Sequence, residues 1–263
     1  MSTTHKMDWL RDRNLVLILV ILASLAWLAT LYQWQTMTCG ACYGMSVACP
    51  MCMGTGKPVL IALASFLFMW SAMMAAMMLP SVTPMVLFFS RVSEHRRREG
   101  SSDAGTWPFL AGYLAAWFAT GFVAFAAVKS IQSLLGSVPG LSQYNKLFAG
   151  GTLLAAGVYQ LSPLKSSCLR RCRSPLDFLL EKWRDGNGGA FLMGAHHGLY
   201  CLGCCWGLMI VMFAVGLMNL AWMIGLTVVM SVEKLSRHGQ WIGRVFGLLL
   251  IVGGALFLYK GSR

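Results

Sequence analysis

Apolar residues in this chain fill whole stretches instead of marking one face, and short basic segments separate them. A helix needs about 20 apolar residues to cross a hydrocarbon core of about 30 Å. Seven stretches have that character: 15–32, 59–79, 108–128, 144–164, 190–215, 218–232 and 241–259. The boundary between the fifth and sixth is the least marked, because 199–232 is one apolar run of 34 residues. As a single helix it would be about 51 Å long, too long for one crossing. A tight turn is therefore predicted around 216–219. The pattern predicts an all-α polytopic membrane helix bundle of about seven transmembrane helices, forming one membrane domain over 1–263.

Composition and charge sharpen this picture. Hydrophobic residues make up 57% of the chain and charged ones 11%, against about 25% charged in soluble proteins. The net charge of +12 would suggest nucleic acid in a soluble protein, but its distribution argues otherwise. With loops assigned alternately, one side carries Lys6, Arg11, Arg13, Arg91, Arg96, Arg97, Arg98, Lys165, Arg170, Arg171, Arg173, Lys182, Arg184, Lys234, Arg237 and Arg244. The other carries only Lys57, Lys129, Lys146, Lys260 and Arg263. The positive-inside rule then places the N-terminus in the cytoplasm of a bacterial inner membrane, multi-pass. Residues 33–57 become an external Cys-rich loop and 165–189 a basic cytoplasmic loop. The lipid bilayer is the expected partner, together with a membrane or periplasmic protein, and nucleic acid is excluded. The first segment has basic residues before it and a signal-like Ser24, Leu25, Ala26. We read it as an uncleaved first helix.

Nine cysteines fall into three groups. Cys39, Cys42, Cys49 and Cys52 form two CxxC pairs six residues apart in the external loop. Such pairs suit a tetrahedral metal cage, and equally the disulfides of an oxidising space. Met51 and Met53 beside Cys52 suit a soft ion. Cys168 and Cys172 sit four apart among arginines, which would favour thiolates. They read equally as incidental or palmitoylated cysteines on a basic helix near lipid. Cys201, Cys204 and Cys205 lie inside the fifth apolar stretch.

That fifth stretch carries the most chemistry. At about 100° per residue, with His197 at zero, Cys201, Cys204, Cys205 and Met212 fall at roughly 40°, 340°, 80° and 60°. Imidazole and sulfur thus share one face of the helix. Gly203 and Gly207 occupy the opposite side, with the small-xxx-small spacing that admits a neighbouring helix. A helix starting at Ala190 would put the thiols about 17–22 Å along it, near the midplane. A histidine within a span is a functional candidate by default. The second stretch offers Met73, Met77 and Met74, Met78 in i,i+4 rows. Methionine rows are often plain packing, but beside a His–Cys–Cys–Cys face they suit a soft metal, Cu(I) above all, with zinc as the alternative.

Three stretches then show a likeness: Met73 to Ser81 (MMAAMMLPS), Cys168 to Pro175 (CLRRCRSP) and His197 to Trp206 (HGLYCLGCCW). They resemble a bacterial family of uncharacterised membrane proteins described as predicted metal-binding integral membrane proteins. The likeness continues through Met218 to Trp222 and Glu233 to Leu235 and covers roughly 59–256. It implies a metal-binding membrane protein. It leaves Cys39, Cys42, Cys49 and Cys52 as an elaboration of this chain.

The leading expectation is a metal-handling protein for delivery or transport, with copper held between the second and fifth spans. Its ligands would come from Cys201, Cys204, Cys205, His197, Met73, Met74, Met77 and Met78, with Cys39, Cys42, Cys49 and Cys52 capturing or donating outside and Cys168 and Cys172 doing the same inside. A membrane thiol–disulfide oxidoreductase is the alternative, since cysteines occur on both sides and in the middle. An accessory subunit of a larger membrane complex is a third reading. Proton-coupled transport is disfavoured, because Glu233 is the one acidic residue near a span. ATP hydrolysis is not indicated, since no glycine cluster has the lysine of a phosphate-binding loop.

Overall fold

The computed structural model describes residues 3–36, 58–100, 104–137, 145–215 and 219–261. Among them every element is an α-helix: α1 (Thr3–Thr36), α2 (Val59–Arg98), α3 (Thr106–Ser137), α4 (Asn145–Leu161), α5 (Pro163–Arg173), α6 (Pro175–Lys182), α7 (Gly186–Val215), α8 (Leu220–Leu235) and α9 (Gly239–Gly261). Each of the seven apolar stretches coincides with a helix, but among the described residues only five helices are long and apolar enough to cross a membrane. These are Arg11–Gln35, Val59–Arg98, Thr106–Ser130, Gly186–Met212 and Gly239–Tyr259. α4 and α8, with 17 and 16 residues, fall short. Cys39, Cys42, Cys49 and Cys52 lie outside the described residues.

Local chemistry sets these boundaries. The fourth stretch was expected to run to residue 164. It stops at Leu161 because Ser162 caps the next helix, its hydroxyl accepting from Lys165 N at 3.2 Å, and Pro163 takes the first helical position. Pro175 likewise takes the first helical position of α6, without a side-chain cap from Ser174. The segment 165–189 is therefore largely helical, folded back as α5 and α6. Gly186, with φ of +77°, supplies the left-handed residue where α6 hands over to α7. α7 ends at Val215, and Asn219 caps α8 by accepting from Trp222 N at 3.3 Å. Most of the predicted turn, residues 216–218, lies outside the described residues.

α2 runs for 40 residues through Pro80 and Pro84, each of which deletes a rung of the hydrogen-bond ladder. At that height Ser81 Oγ donates to Met78 O at 3.0 Å and Thr83 Oγ1 to Leu79 O at 2.9 Å.

Glycines bring the bundle together. A Cβ on Gly112 of α3 would lie 1.9 Å from Phe191 O, and one on Gly194 of α7 would lie 1.9 Å from Phe109 O. One turn on, Gly198 faces Ala116. α3 and α7 thus touch backbone to backbone, the close approach that small-xxx-small pairs allow. α4 and α9 repeat the device: a Cβ on Gly157 would meet Gly247 O at 2.7 Å, and one on Gly254 would meet Gly150 O at 2.9 Å. By contrast, α1 and α9 keep most of their apolar surface outward. Only 17% and 22% of their most apolar windows are buried.

A charged cluster pins three helices together. Lys165 of α5 and Glu233 of α8, both buried, pair at 2.7 Å. Gln160 of α4 donates to the second Glu233 oxygen at 2.7 Å and accepts from Lys165. Lys165, expected among the topology-setting charges, is instead a buried structural cation. A lysine withdrawn from water must find an anion.

Candidate metal centre

The stripe of α7 points inward. Cys201, Cys204 and Cys205 are all buried, and their sulfurs lie within 4.8 Å of one another. Cys204 and Cys205 are 3.4 Å apart at Sγ. The Cys204 thiol also donates to Cys201 O at 3.1 Å, which turns its sulfur back along the helix. Gly203 and Gly207 face the other way, as their spacing predicted. A Cβ on Gly203 would lie 2.7 Å from Cys168 Sγ, and one on Gly207 would lie 2.5 Å from a Tyr159 ring carbon. Tyr159 Oη also donates to Gly203 O. α5 and α4 use these glycines to pack against α7.

That packing delivers a further sulfur. Cys172 of α5 lies 3.8 Å from Cys204 at Sγ. From α2, Met78 places its Sδ 4.0 Å from Cys201 Sγ. Three helices therefore contribute five sulfur atoms to one cluster, in which Cys172 is half-buried and the other four are buried. Lys234 of α8 closes it: its Nζ donates to Cys201 Sγ at 3.0 Å, Ser81 Oγ at 3.1 Å and Met78 Sδ at 3.7 Å. Tyr113 Oη of α3 lies 3.1 Å from Cys201 Sγ. Lys234 is the penultimate residue of α8. Cys201 accordingly sits beside the basic end of α8.

The other expected ligands are placed as follows. Met73, Met74 and Met77 are buried in the core. Met74 lies one turn before Met78 on the same face of α2. His197 is buried one turn before Cys201, among the rings of Phe178, Tyr113 and Phe109 at 5.3, 6.0 and 6.2 Å. Among the described residues its Nδ1 has no hydrogen-bond partner, and His197 does not belong to the three-thiol group. Met212 is buried on α7. Lys234 and Tyr113 were not singled out as site residues from the sequence, and Cys172 was expected, with Cys168, only to capture or donate the ion on the inner side. The i,i+4 spacing of Cys168 and Cys172 was visible, but only the fold shows which helix α5 meets.

The arginines of α5 do not create thiolates there. Burial pushes the Cys168 thiol up, with Arg171 offsetting part of the effect. Hydrogen bonding with Cys201, then burial, pushes Cys172 well up, opposed by its bond to Cys204. The guanidinium of Arg171 is instead turned to Glu181 at 2.8 Å and Tyr200 Oη at 3.1 Å. A raised pKa leaves Cys168 as a neutral thiol near pH 7, with thiolate gained as pH rises. Peptide-resolved mass spectrometry should find it slow to react with iodoacetamide at pH 7. Its rate should climb about tenfold per pH unit above neutrality until the thiol titrates, because only the thiolate attacks. Reaction at pH 7 as fast as that of an unhindered cysteine would mean that the arginines outweigh burial.

Four thiols and a thioether, gathered without a carboxylate, are soft donors that fit Cu(I) and disfavour hard cations. A family model described as PpoB2, copper chaperone, matches residues 67–257. The chain matches no curated protein and no solved structure. The matched span contains Met78, Cys172, Cys201, Cys204, Cys205 and Lys234, and leaves out Cys39, Cys42, Cys49 and Cys52. The description differs from the predicted metal-binding membrane proteins that the sequence resembles, and the two agree on metal binding. By its sulfur-lined core and by this match over most of its length, the chain belongs to the PpoB2 family of copper chaperones.

Proposed function

We propose that this protein is a multi-pass chaperone of the bacterial inner membrane that holds Cu(I) between α2 and α7 and delivers it to a membrane or periplasmic partner. The observation that carries this reading is the buried sulfur cluster, where Cys201, Cys204 and Cys205 meet Cys172 and Met78. Cu(I) is satisfied by a few sulfur ligands, whereas structural zinc takes four in a closed tetrahedron. The Met78 thioether tips the choice to copper, with zinc as the competitor. Met74 and His197, each one turn from a principal ligand, extend the donor set, and Met73 and Met77 line the same helix. The outward apolar surfaces of α1 and α9 fit a bilayer, and the basic ends of α2, α5 and α8 fit its cytoplasmic face.

Delivery follows from how the ligands are arranged. An ion held by several sulfurs moves by exchanging one of them at a time. Cys172 joins the buried thiols to Cys168, one turn away on α5 and half-buried. The two cysteines form a path of sulfur from the core to the half-buried side of α5. Cys39, Cys42, Cys49 and Cys52 serve as the capture or donation point outside.

Titration of the detergent-purified protein with Cu(I) under reducing conditions, in competition with a chromogenic chelator, tests the reading. Stoichiometric binding that excess Zn(II) does not displace is the expected result. Absence of Cu(I) binding, or ready displacement by Zn(II), overturns it. The approach of Cys172 to Cys204 at 3.8 Å also suits a thiol–disulfide relay. That reading predicts a Cys172–Cys204 bridge in mildly oxidised protein, visible by mass spectrometry.

A further inference from the structure

Lys234 has an unusual set of neighbours. Its Nζ donates to a hydroxyl, a thioether and a thiol sulfur, from Ser81, Met78 and Cys201. None of these is a carboxylate. The adjacent Glu233, the natural candidate, is already committed to Lys165 at 2.7 Å and to Gln160 at 2.7 Å. The nearby cation on α5, Arg171, is turned to Glu181 and Tyr200. Lys234 is half-buried; an ammonium drawn in among sulfurs without an anion is costly, and among these neighbours the Cys201 sulfur is the one best able to carry the negative charge.

The same balance of charge applies to the loaded site. Thiols bind metals as thiolates. A monovalent ion on two thiolates carries one net negative charge, and on three it carries two. In surroundings of low dielectric such a centre needs a cation close by. We infer that Lys234 is the counter-cation of the metal–thiolate centre, bonded to Cys201 and allowing the site to hold one more thiolate than it otherwise would. This inference rests on the copper-holding reading and deepens it. Lys234 does not ligate the ion; it acts through Cys201 and is a positioning residue. The Lys165–Glu233–Gln160 cluster serves it in turn, by occupying the one carboxylate that would otherwise neutralise it.

Ag(I), a redox-inert stand-in for Cu(I), is the probe, added to the full-length protein in detergent against a competing thiol chelator. Wild type, Lys234→Met, Lys234→Gln and Lys234→Arg are compared. Lys234→Met and Lys234→Gln should each bind Ag(I) at least about tenfold more weakly, while Lys234→Arg stays within about threefold of wild type. Rescue by arginine but not glutamine marks charge, since glutamine keeps a hydrogen-bond donor. Equal affinity in all four proteins overturns the inference, as does rescue by glutamine. Tighter binding in the neutral variants also overturns it, because the ammonium would then be competing with the metal. Should Lys234→Met fail to fold, the glutamine and arginine variants still separate charge from hydrogen bonding. Failure of wild type itself to bind Ag(I) would instead count against the copper-holding reading.

Discussion

Replacing Cys201, Cys204 and Cys205 together by serine should abolish tight Cu(I) binding while leaving the helices folded. Serine keeps the size of cysteine to within a small margin, but its hydroxyl oxygen is a hard donor that Cu(I) disfavours. The three sulfurs lie within 4.8 Å of one another at the centre of the cluster, so only Cys172 and Met78 of the five sulfurs would remain. The loss should therefore exceed the roughly 10–100-fold that removing a supporting group from a metal site costs. The fold should tolerate the change, because a buried serine can bond back to a carbonyl of the preceding turn, as the Cys204 thiol does to Cys201 O. Copper titration together with circular dichroism checks both halves. Native helicity with unchanged copper affinity would remove these cysteines as ligands.

Glu233→Ala should be among the most destabilising single changes in the chain. It leaves Lys165 buried without its anion, and Gln160 without the acceptor 2.7 Å away. Breaking a buried pair from one side costs about 3–5 kcal/mol, most of it the penalty of the orphaned charge. Removing both charges avoids that penalty. The double change Lys165→Met with Glu233→Leu should recover most of the lost thermal stability. Copper retention need not recover with it, because the cluster orients α5 and α8, which carry Cys172 and Lys234. Thermal melts of both variants in the same detergent decide the matter. A single variant as stable as wild type would show that Lys165 finds another anion.

Much of the architecture was readable because apolar length is a one-dimensional property. A stretch that must exclude charge shows itself in the chain, so all seven apolar stretches coincide with helices. The break before Leu220 followed from a run too long for one crossing. The end of α4 was missed by a few residues, since Ser162 and Pro163 sit inside an apolar stretch and act through capping, not polarity. The closest helix contact was missed too. Gly112 with Ala116, and Gly194 with Gly198, have the same small-residue spacing as Gly203 and Gly207, but spacing alone does not say which pairs meet.

Sequence alone determined that Cys201, Cys204 and Cys205 share a face of one helix and that Met78 belongs to a methionine-rich turn of another, because helical periodicity is local. Only the tertiary structure decided that Cys172 joins them from α5, that Lys234 caps them from α8, and that Lys165 is held by Glu233 instead of marking a membrane surface. His197 shares the predicted face, yet it lies among aromatic rings outside the three-thiol group. The physical reason is the same in each case. A side chain's direction on its own helix follows from residue number, whereas its neighbours depend on how closely glycine-lined helices pack and where capped turns fold the chain back.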